Sequence, residues 1–360
     1  MKTEIRTLTA TVAMLSLAAV AQAQFTPGDL VVLRVGDGVN ALVNSTGPMS
    51  LLEFNSGGTV VGSPVSVPSG NGGLQISGTA TSEGQLVLNA NQTALTLAGY
   101  VPPFTGSGSL SSRTSAQAPR GYVTIDYNRT VSSTTTLPNS PYSTQNIRSG
   151  FASGSGLWFT GSGTASGSGL VYYDGTSSST IQGVNSRVLG YYGGDLFYSS
   201  GSGTQGIYKY NGLPTSPVNA AAFLTGVTGQ GTSPYDFVLS PNGNTLYVAD
   251  DGVGVQKFTG GVGNWTFAGN FTNGLSANKA YGLAVDFSGT DPVIYWTSPT
   301  NIWKATDTGS GALATSILSA GANYAFRGLE FAPIPEPSVG ALIGIGLAAG
   351  WHLLRRNRKS

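Results

Sequence analysis

The chain has 360 residues, and its 17 lysines and arginines nearly balance its 16 aspartates and glutamates, for a formal charge of +1. Only 9% of residues are charged and 53 are glycine. Because the chain has no cysteine, disulfide scaffolds, zinc–thiolate sites and cysteine nucleophiles are excluded. A near-neutral chain also lacks the basic face that nucleic-acid binding requires, so we expect no nucleic-acid partner.

The first 23 residues have the pattern of a secretory signal peptide. A basic start precedes an apolar run from about Leu8 to Val20 and then Ala21-Gln22-Ala23. Small residues such as Ala21 and Ala23 are typical of the signal peptidase cleavage site. We therefore predict cleavage after Ala23, which leaves Gln24 first. The alternative is an N-terminal membrane anchor, for which the apolar run is short.

Residues 24–334 have the spacing of an all-β domain. Short apolar stretches alternate with glycine, serine, asparagine and proline clusters about every 8–12 residues, without long helix-period runs. One strand type recurs at Tyr235–Ser240, Tyr281–Asp286 and Phe326–Phe331, in steps of 46 and 45 residues. A period of about 40–50 residues is typical of β-propellers, in which each repeat is a four-stranded blade.

Three further strand types follow the first one in each repeat, which gives a blade count. The second type has six candidates, at 28–35, 85–89, 156–160, 194–199, 244–250 and 292–297. The third type also has six, beginning near residues 50, 121, 169, 206, 254 and 301, and further first-type candidates lie at 74–79, 148–152 and 187–191. A single six-bladed propeller is therefore favoured. In the wide step from Ser50 to Gly121, Leu95–Val101 is a candidate extra strand and Pro102–Pro119 a long loop, and a missed blade there would make seven. A β-sandwich or β-helix is the alternative fold.

The order of the strand types predicts how the ring closes. The chain body begins with a second-type strand and ends with a first-type strand, so we predict that Leu329–Phe331 pairs near Leu30–Leu33 in one mixed blade. The segment Ser240–Asp250, with the sequence SPNGNTLYVAD, resembles the propeller repeat of the YVTN and NHL type. That resemblance also implies a propeller body.

The last 26 residues form a tail in three parts. Pro335-Glu336-Pro337 precedes an apolar segment, residues 339–354, and a basic end that contains Arg355, Arg356, Arg358 and Lys359. The 16 apolar-segment residues are slightly fewer than the ~20 of a comfortable membrane-spanning helix. We predict a single transmembrane helix there, with the basic end held in the cytoplasm.

This tail resembles the PEP-CTERM sorting signal. The resemblance implies recognition by an exosortase, a membrane-embedded cysteine protease, which cuts near Pro335-Glu336-Pro337. It also implies a protein exported by the secretion machinery of a Gram-negative type of bacterium, transiently anchored by the helix and then placed at the cell surface or outside the cell. The predicted organisation is a signal peptide (1–23), a propeller (24–334) and a sorting tail (335–360). An ordinary tail anchor is the alternative.

The chemical inventory of the propeller body is small. The one histidine, His352, lies in the tail, so Ser-His-Asp catalysis and histidine-bound zinc are excluded from the body. We predict no catalytic residue and no cofactor. Asp250, Asp251 and Asp286 stand at strand ends, where a Ca²⁺ site is conceivable but turn capping is favoured.

Ten aromatic residues occupy strand positions and could stack on sugars, although core packing is favoured. They are Trp158, Tyr172, Tyr173, Tyr191, Tyr192, Tyr208, Tyr210, Tyr247, Trp296 and Trp303.

Two functions are compatible with these features. The favoured one is a non-catalytic binding or structural module associated with extracellular polysaccharide or the cell envelope. The alternative is a propeller enzyme, such as a lactonase, lyase or glycosidase-like protein that acts on extracellular carbohydrate. The central channel discriminates between them: an enzyme should gather two or more acids or a metal there, and a scaffold should present serine, threonine and apolar residues.

Overall fold

The computed structural model describes residues 23–336, apart from residues 228, 230, 276, 277 and 310. Within that range, twenty-four strands form six four-stranded antiparallel sheets, and the only helix is a short 3-10 turn at Leu110–Ser112. The strands are β1 Leu30–Val35, β2 Met49–Phe54, β3 Val60–Val67, β4 Leu86–Leu88, β5 Ala94–Tyr100, β6 Arg120–Asp126, β7 Thr135–Thr136, β8 Ile147–Ser153, β9 Gly156–Gly161, β10 Leu170–Tyr173, β11 Ser178–Gln182, β12 Leu189–Tyr192, β13 Asp195–Ser200, β14 Gly206–Lys209, β15 Ala221–Thr225, β16 Pro234–Leu239, β17 Thr245–Asp250, β18 Gly254–Thr259, β19 Thr266–Phe271, β20 Leu283–Asp286, β21 Val293–Thr297, β22 Asn301–Thr306, β23 Thr315–Ser319 and β24 Ala325–Phe331.

The six sheets are the blades of a closed propeller. Five of them are sequential meanders, β4–β7, β8–β11, β12–β15, β16–β19 and β20–β23. The sixth has the order β24-β1-β2-β3, in which Leu30 pairs with Phe331, Val31 with Glu330 and Val32 with Leu329. The predicted six blades and the predicted pairing of the two chain ends are both confirmed. Neighbouring inner strands contact one another, and β24 contacts β4, so the inner strands surround a central channel.

The core is divided among the six interfaces between neighbouring blades. Strand β1 contributes side chains to two of these interfaces, because successive side chains of a strand point to opposite faces of the sheet. Val31 and Leu33 pack in the cluster shared with β5, whereas Leu30 and Val32 pack in the cluster shared with β20 and β21. A blade therefore needs an apolar residue at almost every inner position, as the sequence LVVLRV of β1 has.

One part of the strand assignment is wrong. Residues 85–89 are not a second-type strand, because β4 is the inner strand of its blade, and residues 74–79 form no strand of a sheet. The second strand of that blade is β5, which the sequence suggested only as an extra strand at 95–101. The long loop follows β5 and accounts for the wide spacing between residues 50 and 121, so no seventh blade is present among the described residues.

The turn between β16 and β17 is the hairpin that its sequence predicts. The Gly243 amide donates to the Ser240 carbonyl over 2.9 Å, and the Asn242 side chain accepts from the Asn244 amide over 3.1 Å. Gly243 has a φ of +73°, a left-handed conformation that glycine adopts without steric cost.

The two terminal predictions fall largely outside the described residues. Ala21, Pro337, the predicted helix at 339–354 and the basic end all lie there, whereas Pro335 and Glu336 are exposed and outside any strand. Along the described part of the chain, no helix has the length and apolar character that crossing a membrane requires.

Candidate functional site

An open cavity of about 650 Å³ lies where the inner strands end. Its walls come mainly from β4, β12, β16, β20 and β24 and from the turns that follow them, with further residues of β13, β14 and β15. Five blades therefore contribute to one site, although their residues are spread from Leu86 to Phe331. A concave, mainly apolar pocket with a few polar groups is the usual form of a ligand-binding site.

Aromatic side chains form much of the cavity wall. Tyr191 and Tyr192 of β12 line it together with Phe237 of β16 and Phe287 and Phe331 from the strand ends. The Tyr191 ring stacks on Phe151 at a centroid distance of 4.9 Å, which fixes its orientation. The polar contribution comes largely from turns and includes Asn89, Gln92 and Asn242. The side-chain amides of Asn89 and Asn242 also hold their own turns, since Asn89 bonds Thr93 and the Asn242 oxygen accepts from the Ser240 hydroxyl. The cavity thus places flat aromatic surfaces beside polar turn residues.

Two carboxyl groups, those of Asp236 and Glu330, also line the cavity. Asp236 accepts hydrogen bonds from the amides of Phe237 at 2.8 Å and Leu283 at 2.9 Å, so it joins β16 to the inner strand of the next blade. Burial raises the pKa of Asp236 well above its usual range, and the negative charge of Glu330 adds to this effect.

Glu330 is the more available of the two carboxyls. One of its oxygens accepts from the Phe331 amide over 2.9 Å. Burial raises the pKa of Glu330 to about 7, although amide hydrogen bonds from Phe331 and Leu88 act in the opposite direction. The remaining charged pair of the cavity, Lys209 and Asp195, is an ion pair at 2.6 Å. Glu330 can therefore hold a proton near neutral pH and release it.

The ten aromatic residues singled out from the sequence divide into two groups. Six are buried in the core, as favoured: Trp158, Tyr173, Tyr210, Tyr247, Trp296 and Trp303. Four are partly exposed, namely Tyr172, Tyr191, Tyr192 and Tyr208, and two of these line the cavity.

The three strand-end aspartates do not come together. Asp250 accepts from the amides of Ser233 and Gly252, both at 2.8 Å, and Asp286 accepts from Ser288 at 2.8 Å, as capping groups do. Asp251 instead pairs with Lys279 at 3.0 Å. Among the described residues, no three carboxylate, histidine or cysteine side chains form a group that could hold a metal ion.

Sequence reasoning missed Asp236 and Glu330. A signal for them does exist, because each is an acid inside an inner strand that is mainly apolar, in the sequences PYDFVL and AFRGLEF, of which the second also contains Arg327. An acid at such a position must be paired, hydrogen-bonded or protonated. What the repeat pattern cannot show is that these two acids share a cavity.

No protein family and no curated protein matches this sequence. Among solved structures, a 6-phosphogluconolactonase candidate from Bacteroides fragilis aligns with a TM-score of 0.46 and 14% identity, over 84% of this chain and 98% of that one. A gluconolactonase from Xanthomonas campestris aligns with a TM-score of 0.39 and 13% identity, over 73% and 90% of the two chains. Likenesses this distant carry no argument about activity, and the fold assignment rests on the strand topology.

Proposed function

We propose that the propeller is a carbohydrate-binding module of an exported bacterial protein, and that the cavity receives the sugar. The observation that carries this proposal is the combination of Tyr191 and Tyr192 with the amide groups of Asn89, Gln92 and Asn242 in one open site. Aromatic rings have the flat apolar surface that the C–H face of a sugar ring can cover, while amides exchange hydrogen bonds with its hydroxyls.

The test measures sugar binding by the propeller body. Residues 24–336, which contain all twenty-four strands, are titrated calorimetrically with a panel of oligosaccharides of bacterial extracellular polysaccharides. We expect Tyr191→Ala to weaken binding about tenfold, which corresponds to about 1.4 kcal/mol. Tyr208→Ala is the matched control, because Tyr208 is also partly exposed but lies outside the cavity. Equal losses in the two variants, or no binding across the panel, would contradict the proposal.

The export and sorting part of the proposal rests on the two chain ends. Signal peptidase cleaves after Ala23, so the mature chain begins at Gln24. The apolar segment and the basic end then halt export, and an exosortase cleaves near Pro335-Glu336-Pro337. The chain leaves the propeller beside the cavity, since the Ile334 amide donates to the Gln92 carbonyl over 2.9 Å and Gln92 lines the cavity. Before cleavage, the cavity would therefore face the membrane.

Sorting is tested in the native bacterium with two variants. One lacks residues 339–360, and the other carries Glu336→Ala. We expect both to differ from the wild type in location or mature mass, and N-terminal sequencing of the wild type to begin at Gln24. If both variants reach the same place with the wild-type mass, the tail is a plain anchor or dispensable.

A second candidate is a propeller enzyme, a hydrolase or lyase of extracellular carbohydrate. The observation in its favour is that the cavity gathers two acids, Asp236 and Glu330, as the sequence analysis expects of an enzyme rather than of a scaffold. Glu330, with a pKa of about 7, is suited to general acid–base catalysis. Turnover that is lost in Glu330→Gln, with binding retained, would favour the enzyme. Binding without turnover in the wild type would favour the module.

A further inference from the structure

The opposite end of the channel carries a ring of polar residues that neither function uses. It consists of one residue from the beginning of each inner strand or just before it: Gln85, Arg148, Arg187, Tyr235, Tyr281 and Arg327. We call these six the channel ring. Three of its members, Arg148, Tyr235 and Arg327, lie at register shifts of their strands. Such bulges redirect side chains and are common beside functional sites.

The members of the channel ring are close together. The Arg187 guanidinium lies over the Tyr235 ring at 4.1 Å, and the Tyr235 and Tyr281 rings are 4.7 Å apart. The Gln85 amide donates to the Arg148 carbonyl over 3.2 Å, which joins two neighbouring members through their backbones. The ring therefore gathers three guanidinium groups around one end of the channel.

The three arginines of the channel ring have no direct ionic partner among the described residues. They donate instead to neutral oxygens, as Arg327 does to the Gly78 and Ala80 carbonyls at 2.7 and 2.9 Å. Burial lowers the pKa of Arg148 to about 10, and the charge of Arg187 contributes. Buried charge without a counter-charge is strongly unfavourable.

The nearby acid Glu83 is already engaged. Its oxygens accept from the Ser77 amide, the Tyr100 hydroxyl and the Asn146 side chain at 2.9, 2.8 and 2.5 Å. Burial also raises the pKa of Glu83, so its negative charge is itself disfavoured. The negative charge of Glu83 favours the charged forms of Arg148 and Arg327, but Glu83 forms no ion pair with either of them. Asp251 accepts from the Tyr281 hydroxyl over 2.8 Å and pairs with Lys279.

Two residues of the ring also have polar atoms without partners. The Gln85 side chain is 0% exposed, and neither its Nε2 nor its Oε1 forms a hydrogen bond. Arg148 is 8% exposed, and its Nε is likewise buried and unpartnered. Buried polar atoms in proteins are nearly always satisfied, by protein groups, water or a ligand. The two unpartnered donors, Gln85 Nε2 and Arg148 Nε, belong to the same ring as three arginines without ion pairs, and an anion is the acceptor that would satisfy both needs.

We propose that this end of the channel binds a small oxyanion, the group shared by phosphate, sulfate and carboxylates, through Gln85 and Arg148 and the charges of Arg187 and Arg327. The segment Gly78–Thr81 covers the site, since Arg327 binds its carbonyls and the Thr81 hydroxyl lies 3.0 Å from that of Tyr235. Thr81 and Arg187 are partly exposed, so the site is reached from this face. None of the six residues of the channel ring lines the proposed sugar cavity.

The test measures the melting temperature of residues 24–336 in chloride, with phosphate, sulfate or acetate added at constant ionic strength. Ligands that bind only the folded state raise the melting temperature in a saturable way. We expect a saturable rise in the wild type and its loss in Gln85→Leu, which removes the orphan amide but keeps its volume. In chloride alone, Gln85→Leu should be at least as stable as the wild type.

Lys304→Gln is the charge control, because Lys304 is partly exposed and lies outside the ring. It should keep the saturable rise, as should Tyr191→Ala at the sugar cavity, so failure of one proposal is distinguishable from failure of the other. A crystal soaked in selenate should show an anomalous peak within hydrogen-bond distance of Gln85 and Arg148. The proposal is overturned if the rise is equal in wild type and Gln85→Leu, as a general salt effect would be, or if only water occupies the site.

Discussion

At the scale of single residues, the acids of the inner strands have a double role. An inner strand has one free edge toward the channel, and its amides need acceptors there. Asp236 supplies one to Leu283, and the hydroxyl of Ser149 supplies one to Leu189 over 3.1 Å. The structural need for an acceptor thus places carboxyl groups in the channel wall, where a ligand can also reach them.

Glu330 should make stability depend on pH. Its pKa is about 7 in the folded protein, against about 4.3 in an unfolded chain, so the folded state holds the proton more tightly between these values. Stability is then fully present below about pH 4.3 and falls as the pH rises toward and through 7. Asp236, whose pKa is also raised, acts with the same sign.

Urea unfolding at pH 5 and pH 8 checks this dependence. We expect Glu330→Gln to reduce the loss of unfolding free energy between the two pH values by about 1 kcal/mol, less than the full shift implies because the cavity admits water. Asp291→Asn, at an exposed position, should keep the wild-type profile. A Glu330→Gln profile as steep as that of the wild type would contradict the prediction.

At the scale of elements, each blade is a four-stranded antiparallel sheet whose strands become more exposed to solvent from the inner strand to the outer one. The inner and second strands are largely buried, as in β17, whereas outer strands such as β23 are mostly exposed or partly so. Strand β7 has only two residues. The repeat pattern is therefore carried mainly by the first three strands of each blade and their turns.

The turns can be tested with a matched pair of glycines. Gly243 and Gly289 occupy equivalent turns, after β16 and after β20, but only Gly243 has a positive φ. A methyl group on the Gly243 Cα would have no atom within 4 Å of it, so the cost of Gly243→Ala is backbone strain alone. We expect a loss of about 1 kcal/mol for Gly243→Ala. Gly289→Ala should be neutral or slightly stabilising in the same denaturant titration.

At the scale of the whole molecule, the circle of six blades is closed by strands from the two ends of the described chain. Strand β24 pairs with β1, and its Phe326 and Leu329 pack in the cluster between the first and last blades. Without β24, that blade would lose its inner strand and the ring would have two open edges. Closure should therefore be a condition for cooperative unfolding.

Two truncated proteins test whether cooperative unfolding needs β24 or the residues that follow Glu336. A protein that ends at Glu336 keeps all strands and should melt in one transition. A protein that ends at Tyr324 lacks only β24 and the short segment after it, and should lose that cooperative transition. Calorimetry of the two gives the comparison, and equal melting would show that the ring does not depend on β24.

What the sequence determined by itself is the local unit and its count. Strand alternation, turn residues such as Asn242-Gly243 and the 45-residue period all act over short distances, so they could be recognised without coordinates. The prediction of a strand at residues 74–79 failed for the same reason. An apolar stretch such as Leu74–Ile76 looks like a strand, although here it forms only a single antiparallel bridge, between Gln75 and Tyr100.

Only the tertiary structure decided which residues meet in the channel. Asp236 and Glu330 are 94 positions apart, and Gln85 and Arg327 are 242 apart, yet each pair lies around one channel end. Closure of the ring brings them there, because every inner strand contributes the same register position to the same axis. The sequence contains each residue's chemistry, but the radial arrangement of the blades determines which of those residues become neighbours.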